Sequence, residues 1–301
     1  MRRWAGLVAA LALSAPAVAR AAEPVTEDVE RFYRLYDATG GNPSVEQLDA
    51  YIAAGTPAFK AFARLRNVTG ARMAATLAAQ RAVYADARRC LAVLPAVKTR
   101  VAKAFARLVE LHPEAKQPPV TIVVGRGRPV GMTYPDGVAI GLEALCAAHF
   151  MNPNLEDRFV HVIAHEYVHI QQPEELDSLE PGQPGATVAR MSMKEGAAEF
   201  VSQLISGGVS QHQHVDWTKG KEAAIEAAFL RDLDKTDLSD WLFNGPGDPA
   251  KPGDLGYWVG ARISKAYYDR ATDKRQALRD ILEMRDPKAF IAASGWKPAA
   301  P

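Results

Sequence analysis

The order of apolar and polar positions divides the chain into a helical first third and a mixed remainder. Across residues 22–116, Ala-rich stretches carry apolar residues at helical spacing, which predicts a series of amphipathic helices. Ser44 followed by Gln47 is typical of a helix start with a capping box, and Pro57 after Thr56 is typical of a first helical turn. We therefore expect an N-terminal helical lobe over this range.

The pattern changes from helical spacing to short apolar runs after about residue 117. Runs at 120–124, 130–134 and 138–141 are separated by Gly, Pro and Asp, which predicts three short strands in a small, partly antiparallel sheet. An exposed edge strand, at 131–134 or 138–141, would hold an extended peptide through main-chain hydrogen bonds. The alternative is that the sheet only covers the helices.

An apolar helical stretch at residues 159–172 contains His165, Glu166 and His169. Residues four apart share one face of a helix, so both imidazoles can bind one ion while Glu166 accepts a proton from water beside it. With 7 His among 301 residues, chance gives this spacing on the order of 0.01 times per chain. The pattern predicts a catalytic zinc site with Glu166 as general base.

A hydrolytic zinc site needs a third protein ligand. Gln172 and Glu175 stand where a metzincin would have Gly and His, so that class is excluded. A later predicted helix, residues 186–205, carries Glu195 and Glu199 on one face. We predict that Glu195 binds the metal after the chain returns antiparallel, and that Glu199 holds the outer nitrogen of a ligating histidine.

Three further expectations concern the surroundings of this site. Glu174, Glu175 and Asp177 are fallback ligands from the intervening loop. Gly196 has no side chain, so its helix is expected to approach the histidine helix closely. His161 shares the metal-binding face, and we favour an ordinary place in the first helical turn over a role beside a ligand.

Three segments of the chain resemble a bacterial family of predicted zinc-dependent proteases, related to the gluzincins, whose functions are largely unassigned. The segments are His165-Glu166-Tyr167-Val168-His169, Glu195-Gly196-Ala197-Ala198-Glu199 and Gly256-Tyr257-Trp258-Val259-Gly260. Further similarity lies at 240–245, 264–268 and 286–295, so the resemblance spans about residues 120–295 and leaves the helical lobe unmatched.

The predicted elements give an α+β, mostly α fold, and the resemblance implies a zincin-like catalytic domain at 117–296. Chain termini are commonly loose, so we expect a flexible tail at 297–301. It also implies a gluzincin-type site with a zinc cofactor on the two motif histidines and Glu195, and with Glu166 as general base. Tyr257, at a predicted helix start, is the candidate for stabilising the oxyanion. The alternative is that Tyr257 packs as an aromatic plug.

Charge and the N-terminal residues narrow the possible partners and the location. A net charge of +1 gives no basis for binding nucleic acid. Arg2 and Arg3 precede an apolar run at 4–13 and then small residues, which predicts a cleavable signal peptide at 1–21 and a periplasmic or secreted protein. No later apolar run reaches about 18 residues, so we expect no membrane span in the mature chain.

Cys90 and Cys146 are the only cysteines, and the sequence allows either a disulfide or two buried thiols. Neither has another Cys or His at ligand spacing, so neither is a predicted zinc ligand. The combined hypothesis is a zinc metallopeptidase acting on a peptide or protein, in an unspecified oligomeric state. The alternatives are a zinc-containing binding or chaperone-like module without catalysis, and a zinc amidohydrolase for a non-peptide amide.

Overall fold

The computed structural model describes residues 23–134, 137–209, 211–248 and 250–299. Over these residues the fold is α+β and mostly helical, with a small three-stranded sheet and a short two-stranded hairpin. The fold class predicted from the sequence is confirmed at this level. The predicted signal peptide at 1–21 lies outside the described residues.

Six α-helices and one 3-10 helix precede the sheet in the described part of the chain. Their bounds are α1 Glu27–Ala38, α2 Val45–Ala53, α3 Pro57–Leu65, α4 Gly70–Ala79, α5 Arg81–Asp86, the 3-10 helix Ala87–Val93 and α6 Leu94–Leu111. Ser44 and Gln47 form the predicted capping box at the start of α2, and Thr56 caps α3 with Pro57 in its first turn. Local sequence signals therefore fix where these helices begin.

The sheet contains β1 (Val120–Val123), β2 (Gly131–Tyr134) and β3 (Gly137–Gly141), in the order β1-β3-β2. β3 pairs parallel with β1 and antiparallel with β2. Val25 covers the outer side of β1, because its N–H donates to the Val120 carbonyl and its carbonyl accepts from Ile122. Among the described residues no strand pairs with the outer side of β2, which is therefore the open edge of the sheet.

Nine helices and two short strands follow β3 among the described residues. They are α7 Leu142–Ala147, α8 Leu155–His169, α9 Glu174–Asp177, α10 Val188–Ser206, α11 His212–Trp217, α12 Glu222–Asp232, β4 Gly247–Asp248, β5 Lys251–Pro252, α13 Leu255–Arg270, α14 Lys274–Leu282 and α15 Pro287–Ala293. No helix within the described ranges combines the length and apolar character that crossing a bilayer requires.

α8 lies between α6 and α10, with β2 across it. On the α6 side, the rings of Phe105 and Tyr167 stack with their centroids 3.6 Å apart. α10 is buried along most of its length, between α8 on one side and α13 on the other. One continuous apolar core runs from Val29 in α1 to Ile291 in α15, so the N-terminal helices and the later elements pack together.

α10 packs on the histidine helix as expected, but the close approach at Gly196 is to α13. A Cβ on Gly196 would lie 2.3 Å from the Cα of Gly260, and a Cβ on Gly260 would lie 2.0 Å from the Ser192 carbonyl oxygen. The backbones of α10 and α13 are therefore in contact, which only glycine permits. The sequence signalled a close helix crossing but not which helix is the partner.

Cys90 and Cys146 form a disulfide that joins the 3-10 helix to α7. The alternative of two buried thiols therefore does not apply. The bridge closes a sequence separation of 56 residues, and cross-links over long loops stabilise the native state chiefly by restricting the unfolded chain. It ties the N-terminal helices to the segment that leads into α8.

The substitution Gly260→Ala tests the contact between α10 and α13. We expect it to lower the free energy of unfolding by about 3 kcal/mol, because the added Cβ overlaps a backbone oxygen that cannot move unless the helices separate. Gly182→Ala is the control: its Cβ would meet nothing within 4 Å, and its φ of +84° costs about 1 kcal/mol. Urea unfolding measures both, and equal losses would contradict the proposed packing.

Candidate metal centre

α8 presents its two motif histidines on one face. The helix is capped by Asn154, whose side chain accepts from the N–H of Asp157, and it ends at His169. The four-residue spacing brings the Nε2 atoms of His165 and His169 to 3.1 Å from each other. Two imidazole nitrogens this close need a shared proton or a shared cation between them.

Glu195 on α10 completes a triangle of ligand atoms with these two nitrogens. Its Oε2 lies 3.4 Å from His165 Nε2 and 3.2 Å from His169 Nε2. Ligand atoms bound about 2.0–2.1 Å from a tetrahedral zinc are roughly 3.3 Å apart, so the observed spacing fits that ion. Two imidazoles and one carboxylate are also a donor set that zinc prefers. The structure thus brings together the three predicted metal ligands.

The outer nitrogen of His169 is held by Gln172. His169 Nδ1–H donates to Gln172 Oε1 at 2.8 Å, and the Gln172 amide donates to the Lys194 carbonyl at 2.9 Å. This fixes the ring so that Nε2 directs a lone pair into the triangle. Sequence reasoning used Gln172 only to exclude a third histidine. Its place three residues after His169 was the signal that could have identified it.

Glu199 lies behind His165, on the side away from the triangle. Its Oε2 is 3.6 Å from His165 Nδ1 and 3.0 Å from His161 Nε2, and its Oε1 accepts from the Gln203 amide at 2.9 Å. The carboxylate is nearly buried and faces the outer nitrogen that the sequence prediction gave it. The structure therefore places Glu199 where it can orient His165.

His161 is completely buried in the middle of α8, two turns after the helix begins. Its Nδ1 lies 3.0 Å from the Gly208 carbonyl oxygen, and its Nε2 lies 3.0 Å from Glu199 Oε2. The favoured expectation of an ordinary first-turn residue was therefore wrong. The four-residue spacing to His165 was the available signal, and it could not show that α10 covers this face.

The fallback ligands do not join the triangle. Glu174 and Glu175 are exposed on α9. Asp177 approaches His169, but at 4.0 Å from Nδ1, the nitrogen already bonded to Gln172. The loop between α8 and α10 therefore borders the cleft and supplies no third ligand.

The pKa values of His165 and Glu195 are both shifted by their neighbours in the triangle. Burial lowers the pKa of His165, but hydrogen bonds to Glu195 and Glu199 outweigh it and raise the pKa to about 10. Burial raises the pKa of Glu195, and the charge of His169 with hydrogen bonds from both imidazoles outweighs it, so that the pKa is lowered. A cation must displace the proton on His165, so metal binding at neutral pH is expected to release protons.

Glu166 lies between the triangle and the open edge of the sheet. A Cβ on Gly131 of β2 would lie 2.8 Å from Glu166 Oε1, so the strand runs directly over this carboxyl group. Desolvation raises the pKa of Glu166, and the charges of His169 and His165 oppose that shift. A carboxylate whose pKa lies nearer to neutrality is a better proton acceptor.

Tyr257, in the first turn of α13, borders the same cleft, which has a volume of about 370 Å³. Its ring stacks on that of His165 with centroids 5.9 Å apart, and Phe243 meets it edge-on at 6.4 Å. Burial, followed by the charge of Glu195, raises the pKa of Tyr257, so the phenol keeps its proton at neutral pH and remains a donor. The residue therefore both packs in the site and lines the cleft.

Comparison of the chain with known protein families, curated proteins and solved structures found no match. The resemblance to a bacterial protease family therefore stays a prediction. What the cluster does has to be inferred from the arrangement of its own side chains.

Gln172→Ala tests whether the amide orients His169. We expect the zinc dissociation constant to rise roughly 10- to 100-fold, because the ring of His169 loses the partner that fixes its tautomer. Gln171→Ala is the matched control, since the Gln171 side chain bonds the main chain of Lys116 and not a histidine. Competition with a chromogenic chelator measures both constants, and equal effects of the two substitutions would rule out the orienting role.

Proposed function

We propose that the chain is a zinc metallopeptidase of the gluzincin type, with a zincin-like core made of the three-stranded sheet, α8 and α10. His165, His169 and Glu195 would hold the ion. The observation that carries the proposal is their triangle of donor atoms, 3.1–3.4 Å apart, beneath an open strand edge. A metal bound by three protein groups keeps one position for water, as hydrolytic zinc sites do.

Zinc in this triangle would act as a Lewis acid and lower the pKa of water towards neutrality. Glu166 is the proton carrier: it accepts a proton from the attacking water and passes it to the leaving amine. Its position supports this role, because it lies beside His165 on α8 and faces the strand that would hold the substrate. The O–H of Tyr257 would donate to the oxyanion that develops on the attacked carbonyl.

The open edge of β2 would hold the peptide. Gly141 N–H donates to the Val130 carbonyl, and antiparallel pairs alternate between bonded and non-bonded positions. Gly131 and Thr133 therefore point their main-chain N–H and C=O groups away from β3, towards the cleft. A substrate in extended form can pair with these groups whatever its side chains. Of the two edges considered from the sequence, β3 is central and is excluded.

The proposed location is the periplasm or the exterior of the cell. It is supported by the signal-like order of residues at 1–21 and by the Cys90–Cys146 disulfide, since such bridges persist in oxidising compartments. An extracytoplasmic peptidase of this kind would meet peptides or unfolded proteins as substrates.

Glu166→Gln separates catalysis from metal binding. We expect zinc to remain bound and the hydrolysis rate to fall roughly 10²- to 10⁴-fold, because the amide cannot accept the proton. Glu195→Ala, by contrast, should lose the metal. Metal analysis and mass spectrometry of a peptide-library digest measure both effects, with small amides assayed alongside. Wild-type protein that binds zinc but cleaves neither peptides nor amides would favour a binding module.

Gly131→Ala tests the contact between β2 and the general base. The added Cβ would overlap Glu166 Cγ and Oε1, so Glu166 must rotate away while the metal ligands stay in place. We expect kcat to fall roughly 10²-fold with zinc retained. Thr133→Ala, on the same open edge, keeps its main-chain groups and should change kcat little. An unchanged kcat in Gly131→Ala would contradict the assigned role of Glu166.

A further inference from the structure

A chain of polar contacts extends beyond the proposed ligands into the core. It starts at His165, continues through the carboxylate of Glu199 and ends at His161, which is completely buried. We infer that His161 is a positioning residue for the metal centre, acting on His165 only through Glu199. The inference rests on metal binding by His165 and not on peptidase activity.

Both ring nitrogens of His161 lie within hydrogen-bond distance of oxygen atoms. Nδ1 faces the carbonyl oxygen of Gly208 at 3.0 Å, which can only accept. Nε2 faces Glu199 Oε2 at 3.0 Å and the hydroxyl of Ser202 at 3.2 Å. That hydroxyl donates to the Glu199 main-chain carbonyl at 2.9 Å, so it too offers His161 only lone pairs. His161 is therefore bonded on one side to the backbone that follows α10 and on the other to a buried carboxylate.

His161 holds Glu199 in one orientation. The Gln203 amide donates to Oε1, and His161 donates to Oε2, so both oxygens are fixed from behind. The oxygen held by His161 is the one that faces His165 Nδ1 at 3.6 Å. Because a carboxylate that orients a ligating imidazole works only when it is itself fixed, the effect of His161 on His165 passes through Glu199.

His161 also connects the two helices that carry the ligands. Its own backbone belongs to α8, Glu199 lies in α10, and Gly208 follows the left-handed residue Gly207 that ends α10. One ring thus bonds both the middle and the end of α10. This fixes the rotation of α8 against α10, on which the spacing between His165 and Glu195 depends.

The same residues could be considered as a second metal site, since ligand atoms of His161, His165 and Glu199 lie within 4.8 Å of one another. Such a site would need both nitrogens of His165 to be deprotonated, because its Nε2 already faces the triangle. It would also need His161 to give up the Nε2 proton that it donates to Glu199. The contacts described above give each of these side chains a protein partner without a second ion.

A double-mutant cycle tests the inference, with His161→Gln, Glu199→Gln and the double variant. We expect each single substitution to raise the zinc dissociation constant roughly tenfold, and the double variant to bind no more weakly than Glu199→Gln. The visible spectrum of the Co²⁺-loaded protein should change in His161→Gln, because the orientation of His165 changes. Ser202→Ala, which leaves the contact between His161 and Glu199 in place, is the control and should alter the constant less than about threefold.

If His161 acted independently of Glu199, the two losses of zinc affinity would multiply to roughly 100-fold in the double variant. That result would overturn the inference. Two zinc ions per wild-type chain, one of them lost in His161→Gln, would replace the positioning role with a second metal site. If His161→Gln does not fold, the double variant buries no unpaired charge, and its comparison with Glu199→Gln decides the question. Wild-type protein without zinc would overturn the metal centre itself, whereas zinc binding without peptidase activity would overturn only the proposed function.

Discussion

The structure depends on the burial of two carboxylates in its central helix. Glu195 and Glu199 are each 5% exposed on α10, a helix enclosed by α8, α13 and α6. A buried carboxylate is costly unless charged or hydrogen-bonding partners satisfy it, and here the partners are histidines of α8. The register of α8 against α10 is therefore set by chemistry as much as by packing, because a shift of one turn would break the present pairing of Glu195 with His169 and of Glu199 with His161.

The surrounding elements maintain that register from different directions. α13 touches the backbone of α10 at Gly196, which leaves α10 no room to move away from α8. On the opposite face of α8, Tyr167 stacks on α6, and β2 lies across the helix above Glu166. The Cys90–Cys146 bridge ties the N-terminal helices to α7. Each contact comes from a different part of the chain, so the site is formed only when the whole core is packed.

Whether the sequence could predict each part of this arrangement depends on how far apart in the chain the interacting residues lie. The spacing of His165 and His169 is set within one helix, so helical periodicity was sufficient to place them. Glu195 was predicted because a returning helix had to supply an acid. His161 was misjudged, because only the position of α10 shows that its ring is covered by a carboxylate. The identity of the open edge strand depended on the order of strands, which local patterns do not contain.

The two histidines of the triangle differ in what stands behind them, and this difference would contribute to the charge of a metal centre there. His169 is backed by the neutral amide of Gln172, whereas His165 is backed by Glu199. With a divalent cation in the triangle, Glu195 and Glu199 would cancel its charge completely. His161 holds Glu199 from the side remote from Glu166. In the proposed site the orientation of His165 is therefore set from behind, while Glu166 would accept the proton of the water in front of it.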